Sequence, residues 1–351
     1  MKYRFFTIGI ALLFLIPTAL SAISQGAPLS LLIEPSSRAG GMGMAYVAHA
    51  DDGFAGYWNP GSMAFNRKTQ FAGMHSNWFG DVEGINDIYY EYLGWNQYFE
   101  DIGNIGVNFV FMTFGDMPIV DEEGDPHGTY TPFDLATSFV YAYQLNEKVG
   151  LGLAFKIIYS KLATTDVLET VNQTDKKGYG LSWAFDLGIK HKNLFINRLD
   201  WGLNLQNIGP KITYSNEDQA DPLPTNFRMG LSYRILESRY NKFRVNLDMN
   251  KNLANDDNVL ASLITAWYDD DSDTEIDEII LNFGTEYIYL DLLSLRVGYI
   301  SDRAGEIDGF SFGAGIHYTF SKTYTLAFDF AMQPAGELTD YNKTFSVKLD
   351  F

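Results

Sequence analysis

The feature that most constrains this chain is a period-two alternation recurring from about residue 69 to residue 351. Phe243, Val245, Leu247 and Met249 alternate with Arg244, Asn246, Asp248 and Asn250. Phe310, Phe312, Ala314, Ile316 and Tyr318 alternate with Ser311, Gly313, Gly315 and His317, and Phe345, Val347, Leu349 and Phe351 with Ser346, Lys348 and Asp350. Successive strand residues point to opposite faces, so each segment has one apolar face and one polar or small face. Fourteen strands are predicted, near 69–79, 85–97, 103–114, 133–145, 149–161, 178–190, 200–208, 225–236, 242–251, 279–289, 294–301, 309–319, 323–332 and 343–351. Soluble sandwiches alternate in the same way, so the choice of architecture rests on the connections.

Connections after even-numbered strands are mostly short: Asn146-Glu147-Lys148, Leu290 to Leu293, Phe320 to Lys322. Those after odd-numbered strands are mostly longer and polar, as at 115–132, 162–178, 209–224 and 252–278. Two connections break the rule: 80–84 is short, and 191–199 is not. A meander puts alternate connections at opposite ends of a sheet, and long loops facing tight turns are the asymmetry of outer-membrane barrels. Strands of this length match the ~9–11 residues that cross a bilayer at a tilt. A sheet this long would expose its edges unless it closed on itself. The fold expected is all-β: a transmembrane up-and-down antiparallel β-barrel of about 14 strands in a bacterial outer membrane, with membrane lipid as its surroundings.

Composition agrees with that reading. Phe 26, Tyr 22 and Trp 6 are many, yet mean hydropathy is only −0.11, as two-faced strands require. The acidic side chains crowd into connections, as in Asp121-Glu122-Glu123, Glu217-Asp218 and Asp269-Asp270-Asp271, where water solvates them. A formal charge of −19 argues against a nucleic-acid partner, which needs a basic footprint. The absence of cysteine excludes a disulfide scaffold, a thiolate metal site and a cysteine nucleophile.

Lys2 and Arg4 precede a short apolar run, Phe5 to Ile16, followed by the small residues Thr18, Ala19, Ser21 and Ala22. This is the pattern of a secretory signal peptide over 1–22, and the run is too short for the ~20 residues of a spanning helix. Residues 34–65 have no sustained strand period and are rich in small and turn-forming residues, including Asn59-Pro60-Gly61. They are expected to plug the periplasmic mouth, which divides the chain into a leader (1–22), an N-terminal hatch (23–66) and a barrel (67–351). Within the hatch Arg38 is expected to pair with Asp51 or Asp52.

Several blocks then carry a family resemblance. Arg38-Ala39-x-Gly41-Met42-Gly43, Ala45, Val47-Ala48, Asp51-Asp52 and Tyr57-Trp58-Asn59-Pro60 are similar to the N-terminal signature of the PorV/PorQ-like outer-membrane proteins, related in fold to the fatty-acid transporter FadL. The blocks Leu205-Gln206-Asn207-Ile208-Gly209-Pro210-Lys211-Ile212 and Leu223-Pro224-Thr225-Asn226-Phe227-Arg228-x-Gly230 resemble that family's mid-barrel motifs. So do Gly284-x-Glu286-Tyr287, Leu295-Arg296-x-Gly298-Tyr299 and Gly313-x-Gly315. Gly61 departs from the pattern, since FadL-like hatches commonly carry Ala after Asn-Pro. The resemblance implies hatch or gating roles for Arg38, Gly41, Met42, Gly43, Asp51, Asp52, Trp58, Asn59 and Pro60. It implies a non-enzymatic barrel that receives the C-terminal domains of secreted cargo in type IX secretion. The alternative it carries is a FadL-like channel for fatty acids or other hydrophobic small molecules. A general porin fits less well, because a packed hatch occludes a water path.

No cofactor, metal or catalytic residue is expected. His49, His75, His127, His191 and His317 have no metal-ligand spacing and are read as unconnected surface or lumen residues. Ser311 and His317 share a strand face, but six residues separate them by ~20 Å. Gly41-Met42-Gly43 lacks the strand, third glycine and lysine of a phosphate loop. Asp269-Asp270-Asp271-Ser272-Asp273 lacks the glycine and terminal glutamate of an EF-hand and reads as a solvated loop. The apolar stretch Val259–Tyr268 beside it is expected to fold as a short helix or flap, a candidate partner surface.

Overall fold

The computed structural model describes residues 26–78, 87–120, 125–164, 167–168, 177–214, 220–320, 323–336 and 340–351. The expected leader and the acidic runs at 121–123 and 217–218 lie outside the described residues. Sixteen strands are present among these: β1 Gln70–Asn77, β2 Ile88–Phe99, β3 Gly103–Phe114, β4 Met117–Val120, β5 Pro126–Tyr130, β6 Phe133–Gln144, β7 Val149–Lys161 and β8 Tyr179–His191, then β9 Leu199–Ile208, β10 Asn226–Glu237, β11 Asn241–Asn252, β12 Ile280–Tyr289, β13 Leu293–Asp302, β14 Ile307–Thr319, β15 Thr325–Pro334 and β16 Tyr341–Asp350. All but β4 and β5 form one closed antiparallel barrel of fourteen strands in which β1 pairs with β16. The fourteen predicted strands all appear. The 115–132 connection, expected as a loop, instead carries the β4–β5 hairpin. No helix among the described residues is long and apolar enough to cross a membrane.

The alternation sorts side chains as the period requires. On β8, Tyr179, Leu181, Trp183, Phe185 and Leu187 point out, while Gly180, Ser182, Ala184, Asp186 and Gly188 are buried inside. Closure satisfies every ladder hydrogen bond within the protein, which is the condition for strands to sit in lipid. Towards the long loops Tyr89, Phe111, Phe133, Tyr159 and Tyr179 form a run of outward rings with neighbouring centroids 6.1, 5.7, 5.8 and 5.8 Å apart. Towards the short turns Tyr324, Phe351 and Phe71 form another, at 5.4 and 6.1 Å. Two aromatic girdles are the mark of a barrel anchored at both interfaces.

The N-terminal segment lies inside this wall, almost wholly buried. It contains a turn at Leu29–Leu32 and three one-turn helices, α1 Ser37–Gly40, α2 Ala55–Trp58 and α3 Pro60–Met63. The plug is longer than a periplasmic stopper. The Ala27 amide donates to the Pro222 carbonyl at the long-loop end (2.8 Å), whereas Asn66 donates to Gln70 and Asn96 at the short-turn end (2.7 and 2.6 Å). Asn59 Oδ1 accepts from the Gly61 amide (2.9 Å), and Pro60 takes the first helical position of α3, where its missing N–H costs nothing.

Backbone meets backbone where the segment docks. A Cβ on Gly61 would lie 2.7 Å from the Gly188 carbonyl oxygen of β8, so the glycine that departs from the family pattern is the residue that fits. Gly43 has φ +60, and a Cβ there would lie 2.6 Å from the Tyr299 amide; Gly284 and Gly298 on β12 and β13 give it a bare floor. Overpacking such a contact costs roughly 1–3 kcal/mol. Gly298→Val is therefore expected to expel residues 37–52 from the wall, giving faster proteolysis within the segment in detergent, while Ala314→Val on the outward face leaves it protected. Equal cleavage of both variants would refute the docking.

Candidate functional site

The segment is held by ion pairs as well as by shape. Arg38, on α1, donates from Nε and Nη2 to the two oxygens of Glu286 on β12, both at 2.8 Å, and from Nη1 to Asp51 (2.7 Å) and to Asp52 (3.5 Å). The expected pairing with Asp51 and Asp52 is present, and the partner that sequence reasoning missed is Glu286. Glu286 also accepts from Arg296 of β13 (2.8 Å), which reaches Asp329 of β15 (2.7 Å). Lys348 of β16 closes the chain between Asp329 (3.1 Å) and Asp52 (3.0 Å). Arg244 of β11 stands 3.7 Å from Asp51. Four cations face four anions, so the named charges balance, and each is paired at short range, as buried charges require to offset their desolvation.

Two histidines expected to stand apart belong to this cluster. His49 Nε2 lies 2.9 Å from Arg38 Nη2; a guanidinium can only donate, so that ring nitrogen accepts. His317 Nε2 lies 3.7 Å from Asp329 and 3.4 Å from Ser294. A nucleophile-activating triad would need those partners on opposite ring nitrogens.

A second clamp grips the middle of the segment. Arg228 of β10 pairs with Glu34, donates to the Met44 carbonyl (3.2 Å) and covers the Trp58 ring at 4.6 Å. Beside it Asp248 of β11 accepts from the Tyr46 and Val47 amides (2.7 and 2.8 Å). Trp58 Nε1 donates to the Pro35 carbonyl (2.6 Å), and Asn59 Nδ2 to the Val47 and Ile189 carbonyls (3.0 Å each). Met42 is fully buried under Gly284, and its sulfur lies 3.4 Å from Asn246. Gly41 packs on Gly313 of β14.

The mid-barrel motifs divide between building the wall and holding the segment. Asn207 has φ +60 at a bulge in β9, where Lys156 bridges it (2.5 Å) to Asp186 (3.1 Å). Its side chain donates to the Pro224 carbonyl (2.9 Å), and Ser182 donates to the Pro210 carbonyl (3.0 Å). Gly209 lies against the Trp183 carbonyl, too close for a side chain. Gln206 accepts from Asn226 (3.4 Å) and donates to the Tyr57 carbonyl (2.9 Å). Leu223 is buried, and Pro224 packs against Gly26.

At the long-loop end, the β11–β12 connection folds into two helices, α4 Val259–Thr265 and α5 Ser272–Asp277. The stretch around Val259–Tyr268 is thus helical, capped by Asn258. Trp267 packs edge-on to Phe227 (5.5 Å), and Lys251 ties Glu275 and Glu278 to the rim (2.8 and 2.6 Å). Leu260, Ile264 and Tyr268, at helical spacing, are 68, 66 and 65% exposed. Asp271 caps α5 by accepting from the Thr274 and Asp273 amides, which holds its carboxyl below the usual range.

A family model described as the type IX secretion system protein PorV matches residues 18–258. The chain belongs to the PorV family. Membership places this barrel in the outer membrane and connects it with type IX secretion. The match ends before Glu286, Arg296, Asp329 and Lys348, so half of the ion cluster lies beyond it. Among solved structures, the toluene transporter TodX of Pseudomonas putida shares 10% identity over 90% of this chain and 96% of that one, with a TM-score of 0.53. The toluene transporter TbuX of Ralstonia pickettii shares 11% identity over 91% and 97%, with a TM-score of 0.51. At such identities the likeness is one of fold. No curated protein matches by sequence.

Removing one partner of a buried pair strands the other, at about 3–5 kcal/mol. Arg38→Met and Glu286→Met are each expected to lose amide-exchange protection across residues 37–52, and the double variant to lose less than the two single losses together. Strict additivity would show that the pair does not hold the segment.

Proposed function

We propose that this PorV-family barrel is a non-enzymatic receiver of secreted cargo, which it binds at its long-loop mouth through the cargo's C-terminal domain and hands on. Residues 26–66 act as its hatch, with Arg38, Asp51, Asp52 and the Gly41–Gly43 turn as the latch. One observation carries the reading: a helix mounted on the long-loop rim leaves Leu260, Ile264 and Tyr268 exposed beside a lumen already filled by the chain's own N-terminal segment. An exposed apolar face at the rim is what a partner covers, and a filled lumen leaves the mouth as the surface for recognition.

A second reading has its own support. The upper lumen is apolar: Tyr90, Met112, Ile158, Ile212 and Leu223 cluster with Leu31 and Ile33. A hydrophobic small molecule would find suitable walls there once residues 26–33 moved aside.

The pair Leu260→Asp, Ile264→Asp separates the two. For cargo binding, losing an apolar anchor of roughly 2 kcal/mol corresponds to an about 30-fold loss of affinity, read as cargo released to the medium instead of retained at the cell surface. Normal cargo display by a correctly assembled double variant would overturn the proposal, and impaired uptake of hydrophobic compounds by a Leu31→Asp variant would favour the second reading.

A further inference from the structure

The outward face of β1 and β2 carries a polar pair that neither the hatch nor the mouth uses. His75 and Glu91 are cross-strand partners, their Nδ1 and Oε1 2.8 Å apart, and their side chains are 53 and 41% exposed. They lie on the lipid-facing side, among outward apolar residues. Phe345 is paired with His75 and Phe111 with Glu91, while Tyr89 and Leu93 flank Glu91 along its own strand. A carboxylate on the lipid face of a barrel is unfavourable, and an ionisable residue at membrane depth marks a functional position by default.

Directly below, towards the short turns, the same strands form an apolar groove of about 650 Å³, lined by Phe71, Gly73, Leu93, Trp95, Phe109 and Val347. Gly73 is its bare floor: a Cβ there would meet nothing closer than Leu93, at 3.5 Å. Gly73 pairs with Leu93 as His75 pairs with Glu91, so the His75–Glu91 pair stands one outward step, ~6.6 Å, from the groove. An elongated apolar trough with a polar head has the form of one lipid.

The geometry points to a lipid-binding site on β1–β2 for a phospholipid with an ammonium-bearing headgroup, its acyl chain in the Gly73 groove and its ammonium on Glu91. A carboxylate only accepts hydrogen bonds, and after taking His75 it keeps lone pairs for a further donor. An ammonium supplies donors and the counter-charge together, whereas an anionic headgroup without an amine would meet Glu91 as a like charge. The headgroup faces the long-loop end and the chain hangs towards the short turns.

The test compares phosphatidylethanolamine with phosphatidylglycerol, each offered to the purified barrel in mixed micelles and read by native mass spectrometry. Wild type is expected to retain phosphatidylethanolamine about tenfold more than phosphatidylglycerol, the size of one charge-assisted hydrogen bond. Glu91→Gln should level the two, and Gly73→Phe should lower both. Heat-modifiable gel mobility verifies that each variant is a folded barrel. Independently of any variant, a photoactivatable phosphatidylethanolamine should label wild-type peptides from β1 to β3. Equal retention of both lipids by wild type, labelling spread evenly round the barrel, or a co-purifying membrane protein lost with Glu91→Gln would each overturn the site.

Discussion

A charge inside a membrane barrel is stable only with its counter-charge in reach, and that requirement makes wall and N-terminal segment one body. In the ion cluster the wall contributes Arg244, Arg296 and Lys348 against Glu286 and Asp329. The segment contributes Arg38 against Asp51 and Asp52. Neither side is neutral alone: the wall holds one cation too many and the segment one anion too many. Docking cancels both excesses, so withdrawing the segment would leave opposite charges unpaired on the two surfaces. The glycines serve the same end, because Gly284, Gly298 and Gly313 bring backbone close enough for short side chains to meet.

What could be read from the sequence follows the range over which each interaction is decided. Strand existence is local, since alternation such as Phe345 to Phe351 needs only the residues that show it. All fourteen wall strands were accordingly legible. The β4–β5 hairpin was not, because Met117–Val120 contains a proline and is too short to show a period. Arg38 with Asp51 was legible because 13 residues separate them. Its stronger partner, Glu286, lies 248 residues away and is brought there by the register of β11, β12 and β13. The available signal was indirect: Glu286, Arg296, Gly298 and Gly313 all fall in blocks resembling the family's, and those blocks are the wall's contacts with the segment. His49 looked isolated for the same reason, since its neighbours arrive from other strands.

The two helices of the β11–β12 connection illustrate a different limit. Leu260 and Ile264 are helix-spaced in the sequence, but periodicity alone cannot say which face is buried. The structure settles it through Trp267 on Phe227 and Lys251 on Glu275 and Glu278, which fix the helices to the rim and leave the apolar stripe exposed. Rim and lumen thereby divide the work: Glu286, Asp248 and Arg228 in the lumen hold the segment, and an exposed apolar stripe stands at the mouth.

The segment itself is not uniformly held. Residues 26–33 carry no charge and are fastened by Ala27 to Pro222, Ser30 to Asp134 and the hydroxyls of Tyr57 and Tyr90 on the carbonyls of Leu31 and Ile33. From Glu34 onward the attachments are ionic and interlocked through Arg228, Glu286 and Asp248. Releasing the first part gives up a few hydrogen bonds, only one of them to a carboxylate (Ser30 to Asp134), and apolar contacts, whereas releasing the second exposes charges whose partners stay behind. Local opening follows the less costly path. Any local opening of the segment is therefore expected to begin at residues 26–33, ahead of the ionic attachments that start at Glu34.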